Sequence, residues 1–321
     1  IGLSANRDGA HTEELFDGFS HACHWLGVEA DHVWQEDGRD PAMARHAAKA
    51  LCDVGVPIVV GHLSAAASVA AVEVYRTRNM AFIAPATSHP RLNPHGYSGV
   101  LRAFGTDARI AETMAQAGPI SGQPVILYQD QTYGRSLAEE VRSALLALDL
   151  CPAMEMLASD SVPAARPAGV HTYFLCGIHE VCAEVLQALR RRGDTSMVVL
   201  GDDCISANFL ALSGASAEGC VIATPIVKNA VVNLKGPLGF NSIVDGYFST
   251  STISVAVALQ AIRAAPHLKG AELGAFIRSR SWDTPLGAVS FDAAGNIVGI
   301  LYQCFTVQNG QLELGAQHHV R

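Results

Sequence analysis

No stretch of this chain stays apolar long enough to cross a bilayer as a helix. A span needs about 20 consecutive apolar residues, and even Val56-Pro57-Ile58-Val59-Val60 stops at Gly61. Cationic charge is scarce as well. Lys and Arg number 22 against 30 Asp and Glu, for a formal net charge of -8, and no basic cluster exceeds Arg190-Arg191-Arg192. The electrostatic footprint of a nucleic-acid or other polyanion binder is therefore missing. Cysteine is too thin for a disulfide scaffold, with 8 residues and no C-x-x-C pair, which leaves room for one or two disulfides in an oxidising compartment. Cys151, Cys220 and Cys304 fall in apolar, strand-like runs and read as small core residues.

Enzyme signatures are equally sparse. The sequence has no G-x-x-x-x-G-K-[ST], no G-x-G-x-x-G after its first strand and no G-x-S-x-G, so phosphate-cradling loops and hydrolase elbows fall away. His21 and His24, or His318 and His319, lack companion ligands at useful spacing, and no nucleophile and base stand together. The expectation is a protein with no catalytic residues, no metal and no cofactor.

What is present is a large apolar fraction, 49% hydrophobic with 16% charged over 321 residues, enough for two lobes of ordinary domain size. Short β-like runs alternate with amphipathic helical ones, the pattern of parallel βα units. Leu15, Phe19, Ala22, Cys23 and Leu26 recur at helical spacing, and Val28 to Trp34 alternates as an extended segment. Asp40 and Pro41 read as the cap and first residue of a helix to Cys52. Then come a strand at 57–61, a helix at 66–76 and a strand at 81–85. The unit recurs as strand 124–128 before helix 136–148, strand 172–175 before helix 180–191, and strand 197–201 opening into Asp202-Asp203. The tail from Val289 to Leu312 reads as strands around the turn Asp292 to Asn296. Breaks at Ala117 to Pro124 and after Val221 to Pro225 look like crossings between lobes. They assign 1–119 and 227–298 to one lobe and 120–226 and 299–321 to the other.

In open parallel sheets ligands sit beyond the carboxyl ends of strands. Here those positions hold Ser64 to Ser68, Ala86-Thr87-Ser88, Gln131-Thr132-Tyr133, Gly177-Ile178-His179 and Asp202-Asp203. Small residues let a helix N-terminus approach an anion, hydroxyls add donors, and a carboxylate suits an ammonium.

The runs Ile58 to Ser64 through Val74-Tyr75, Phe82 to Pro90 with Gly96-Tyr97, Asp130 to Gly134, Ala217-Glu218-Gly219 and Asp283 to Asp292 together resemble the leucine/isoleucine/valine-binding proteins. These are type I periplasmic binding proteins that serve ABC transporters. The resemblance covers nearly the whole chain in order. It implies an α/β fold of two Rossmann-like lobes joined by three crossings, with a cleft that closes on an amino acid. It places the ligand carboxylate on Ala65, Ala66 and Ser88, with Thr87 in the same turn. The ammonium acceptors fall on the Ala86 carbonyl, the Ser88 hydroxyl and Asp203. The side-chain pocket falls on His11, Tyr133, Ile178 and Tyr247. This chain departs from the family pattern in having Ala65 in place of a serine, His11 and Ile178 in place of aromatics, and a shorter segment between Pro225 and Tyr247. The resemblance thus keeps the α-amino-acid clamp while the pocket for the rest of the ligand has changed.

It further implies a monomeric periplasmic receptor whose partners are a small amino acid and the permease subunits of an ABC transporter. The chain opens in Ile1-Gly2-Leu3-Ser4, as expected of a mature exported form or a trimmed chain. A ligand-sensing regulator of the same fold is the alternative. Each site residue also has a plainer reading: Ser88 as a helix cap, Asp203 as an unpaired surface carboxylate with Asp202 as its rival, Tyr133 and Ile178 as packing.

Overall fold

The computed structural model describes residues 1–9, 11–157, 171–227 and 247–314. Its helices in chain order are α1 (Thr12–Leu26), α2 (Pro41–Val54), α3 (Ala65–Thr77), α4 (Asp107–Ala115), α5 (Thr132–Leu146), α6 (His179–Arg191), α7 (Ala207–Ser213), α8 (Phe248–Ala264) and α9 (Gly270–Arg278). Two compact units emerge: Ile1–Thr106 with Val227–Leu301, and Asp107–Ile226 with Tyr302–Arg321.

The first unit carries β1 (Gly2–Ala5), β2 (Val33–Glu36), β3 (Ile58–Gly61), β4 (Ala81–Ala84) and β5 (Val100–Arg102) in the order β2-β1-β3-β4-β5, all neighbours parallel. Every residue of β1, β3 and β4 is buried, which is why these strands read as continuous apolar runs and do not alternate. One face packs Leu3, Ile58, Val60 and Ile83 against Leu15 and Phe19 of α1 and Ile253 and Val257 of α8. The other packs Val59 and Phe82 against Leu51 of α2 and Ala71 and Tyr75 of α3. The Asp40 cap forms as expected, its Oδ1 accepting from the N–H of Ala42 at 2.8 Å and of Met43 at 2.9 Å. Gly18 of α1 explains how closely α8 lies: a Cβ there would stand 2.8 Å from the Ser251 Cβ. The unit ends in a small antiparallel pair, β11 (Trp282–Thr284) with β12 (Gly287–Val289).

The second unit carries β6 (Pro124–Gln129), β7 (Ala153–Leu157), β8 (Thr172–Cys176), β9 (Met197–Leu200), β10 (Val221–Val227), β13 (Ile300–Gln308) and β14 (Gln311–Leu314), in the order β14-β13-β10-β9-β8-β6-β7. Its core joins Leu127, Leu175 and Leu200 of the sheet to Leu186 and Leu189 of α6 and Phe209 of α7. Strands β7-β6-β8-β9-β10 repeat the order of the first sheet. In each sheet the winding reverses beside the first strand, between β1 and β3 and between β6 and β8, so the carboxyl ends of those strands are where a ligand belongs.

Two expectations change. The first lobe boundary moves from 119/120 to 106/107, and the last from 298/299 to 301/302; the first moves because α4 packs on α5 and its Asp107 Oδ2 accepts a 2.6 Å bond from the Ser136 hydroxyl. The Gly- and Pro-rich stretch 117–124 therefore ends a helix and starts a strand inside the second unit. Cys151 is exposed, not a core residue, while Cys220 is buried and Cys304 half-buried. All 8 cysteines are free thiols. The shortened segment after Pro225 lies mostly outside the described residues.

Candidate functional site

In the first unit the site begins at the end of β3. Gly61 has φ +142°, and a Cβ there would stand 2.2 Å from the Ser4 carbonyl oxygen, so only glycine lets β3 leave the sheet this way. Ser64 then caps α3, its Oγ accepting from the Ala67 N–H at 3.2 Å. Ala65 and Ala66 occupy the first two helical positions, where N–H groups precede the first intrahelical bond and face outward as donors.

The turn after β4 is clamped from two sides. The Thr87 hydroxyl lies 2.5 Å from the Ser68 hydroxyl of α3. Its carbonyl accepts from Arg102 at 2.8 Å, and the same guanidinium reaches the His89 carbonyl at 3.0 Å and Asn296 Oδ1 at 3.1 Å. Arg102 is only 7% exposed. His89 caps the short 3-10 turn Pro90–Leu92 by accepting from the Arg91 N–H at 3.0 Å. Burial, with Arg91 and Arg102 nearby, pushes its pKa down to about 4, so it is neutral and free to accept. The cap is thus His89 and not Ser88. Ser88 is 2% exposed, and its hydroxyl has no hydrogen-bond partner among the described residues.

The same unit brings His11 and Tyr247 together, their rings edge to face with centroids 4.6 Å apart. Glu14 Oε2 lies 3.0 Å from His11 Nδ1 and accepts from the Tyr247 N–H at 2.9 Å. Phe104 meets Tyr247 at 5.3 Å between centroids.

In the second unit the strand ends carry carboxylates. Asp203 Oδ2 accepts from the His179 N–H at 2.7 Å and lies 2.8 Å from His179 Nδ1. Asn208 Nδ2 donates to His179 Nε2 at 2.8 Å, which leaves the imidazole proton on Nδ1, pointed at Asp203. Asp203 is 8% exposed, so it is not a loose surface carboxylate. Its rival Asp202 turns elsewhere, accepting from the Tyr133 hydroxyl at 2.7 Å. Burial raises the Asp202 pKa to about 7, the Tyr133 bond opposes this, and the charges of Asp107 and Asp203 add to it. Ile178 is half-buried at the cap position of α6.

The sequence reading missed His179, Arg102, Glu14 and Asn208. His179 stood next to Ile178 in a strand-end segment already singled out, and that was its only signal. Arg102 and Glu14 also reach residues distant in sequence, Asn296 and Tyr247, while the His11–Glu14 pair lies only three residues apart.

Among the described residues no helix is long and apolar enough to cross a membrane. The Leu/Ile/Val-binding protein of Citrobacter freundii is 26% identical over 304 residues, which cover 87% of this chain and 80% of that protein. A crystal structure of a leucine binding protein from Thermotoga maritima shares the fold with a TM-score of 0.85 at 17% identity, over 98% of both chains. A solute binding protein from R. palustris in complex with benzoate does so with a TM-score of 0.80 at 14% identity, over 98% of this chain and 94% of that one. The sequence profile of the periplasmic binding protein family matches residues 15–311, and with the repeated strand order and its strand-end residues, the chain belongs to that family of substrate-binding proteins.

Proposed function

We propose that this protein captures a small α-amino acid with free amino and carboxyl groups, branched-chain or related, and delivers it to an ABC transporter from the periplasm. The observation that carries this reading is Ser88, a residue only 2% exposed whose hydroxyl bonds to none of the described residues, in a turn that Arg102 and Ser68 otherwise hold fast. A hydroxyl so placed has both its donor and its acceptor sites to offer a ligand.

The Ala65 and Ala66 N–H groups and the Ser88 hydroxyl take the ligand carboxylate. The Ala86 carbonyl and Asp203 take the ammonium, with charge-assisted bonds giving the clamp its strength. His11, Tyr133, Ile178 and Tyr247 shape the side-chain pocket. These residues are partly apolar and partly hydrogen-bonding, which suits an aliphatic or moderately polar side chain. The Leu/Ile/Val-binding name of the Citrobacter freundii relative supports the same class.

A thermal-shift panel of the twenty amino acids together with benzoate tests the reading, since a ligand that binds only the folded state raises its melting temperature. Leucine, isoleucine, valine or a small polar or aromatic amino acid gives the largest rise, and arginine and glutamate give little. A larger rise with benzoate, or with a charged amino acid, overturns the pocket assignment.

A further inference from the structure

One buried network in the first unit contains none of the residues assigned to the ligand. His62, immediately after β3, is fully buried, and its two ring nitrogens are both engaged: Nδ1 lies 2.9 Å from Asp37 Oδ2 and Nε2 lies 2.8 Å from the Tyr75 hydroxyl. Asp37 and Tyr75 are buried as completely. Burial holds the Tyr75 phenol well above its ordinary pKa, so it stays protonated and donates to Nε2, while Nδ1–H donates to Asp37. With the ring nitrogens so engaged, one tautomer matches both partners.

The backbone of His62 is the unusual part. Its φ is +51°, a left-handed conformation that a residue with a Cβ adopts only when its surroundings impose it. In that conformation its carbonyl accepts from the Ser68 hydroxyl at 2.8 Å and faces the Thr87 hydroxyl at 3.4 Å. Its N–H is taken by the Ser4 carbonyl. Asp37 is itself anchored, its N–H bonded to the Ala5 carbonyl at 3.0 Å. The ring thus ties the carboxyl ends of β1, β2 and β3 to α3, and the carbonyl on the other side of the same residue holds the two hydroxyls beneath Ser88 and the start of α3.

We propose that His62 is the positioning residue of the ligand turns in the first unit: Asp37 and Tyr75 fix its ring, the fixed ring holds the left-handed backbone, and the backbone sets the register of Ala65, Ala66 and Ser88. This rests on the amino-acid-binding reading above. A merely structural role costs stability, whereas a positioning role costs affinity in protein that is still folded.

The test compares Tyr75→Phe, which removes one donor and keeps the ring, with His62→Asn, which tolerates the left-handed backbone but cannot bridge both partners. Leucine titrations by calorimetry on folded protein are expected to show the Kd raised about tenfold in Tyr75→Phe and further in His62→Asn. Combined with Thr87→Val, Tyr75→Phe adds less than its separate effect, because both act on one turn. Lower melting temperatures with the wild-type Kd in both variants overturn the proposal. Should the wild type bind neither leucine nor any other amino acid, the functional reading fails on its own. The positioning claim is then decided by amide NMR shifts in Tyr75→Phe: movement at 64–68 and 86–88 upholds it, and changes confined to residues around Asp37 and Phe82 overturn it.

Discussion

Beyond the strand ends of the first unit the polar groups are N–H donors, hydroxyls and a neutral histidine, with a buried guanidinium holding the Thr87 and His89 carbonyls; beyond those of the second they are carboxylates, Asp202 bonded to the Tyr133 hydroxyl and Asp203 to the N–H and ring of His179. The first arrangement offers N–H and hydroxyl donors at the start of α3 and in the turn after β4, which suits an anionic group recognised by backbone dipoles. The second concentrates negative charge, with Asp107, Asp202 and Asp203 close enough to influence one another, and so it suits a cation. The same strand order carries opposite electrostatics, which shows that the fold fixes where polar groups gather and the side chains decide their sign.

Breaking the first arrangement has the largest expected effect. Arg102→Met removes the bonds to the Thr87 and His89 carbonyls and to Asn296, taking from the Thr87 carbonyl the donor described above while the His89 carbonyl keeps the Leu92 N–H. Denaturant unfolding is expected to show a loss of about 3–5 kcal/mol, the scale for losing two or more hydrogen bonds to a charged group at about 1.5–3 kcal/mol each.

Asp202→Asn sharpens the contrast through pH. A carboxyl raised from 3.8 to about 7 favours the folded state while protonated, and that contribution is lost as pH climbs from about 4 through 7. At about 1.4 kcal/mol per unit of pKa displacement, the variant is expected to be more stable than wild type by about 2–4 kcal/mol at pH 8 and no more stable at pH 4. Melting curves across that range check it, and parallel pH profiles for the two proteins contradict it.

Asp203→Asn keeps the shape of the carboxylate and removes its charge. Leucine affinity measured by calorimetry is expected to fall by about 2–3 kcal/mol, and an unchanged affinity rules Asp203 out as the ammonium acceptor. The smallest change is Ser88→Ala. It is expected to cost about 1 kcal/mol of leucine affinity with no shift in the melting temperature of the ligand-free protein, because that hydroxyl bonds to none of the described residues.

Local signals in the sequence located most of the sheet. Asp40-Pro41 announced its helix, and the buried strands β3, β4, β8 and β9 stood out as short apolar runs. The helix α8 did not. Its residues 249–252 are Ser, Thr, Ser and Thr, followed by β-branched Ile253, Val255 and Val257, which locally favour strand. It is helical because it is buried almost all round against α1 and the sheet, with Thr250 and Ser254 hydroxyls bonding back along the helix, and an all-round apolar helix shows no 3.6-residue stripe. The last hairpin carried a readable signal that went unused: Asn309 and Gly310 both have positive φ between β13 and β14, the Asn-Gly pattern of a tight turn. Within the site, the strand-end rule reached Ser88 and Asp203 but not what holds them. His179 lies 24 residues from Asp203, and nothing local in either segment announces the pairing.

The clamp on Thr87 also dictates an order of events in time. Arg102 meets Asn296 across 194 residues, and its backbone N–H bonds to the Gly295 carbonyl at 2.8 Å. A ribosome makes the Ala86 to Ser88 turn long before the chain that completes the clamp emerges. Closing so long a loop is slow and entropically costly. A nascent chain released before residue 295 therefore carries every residue assigned to the ligand's carboxylate and lacks the Asn296 end of the clamp that keeps them in place.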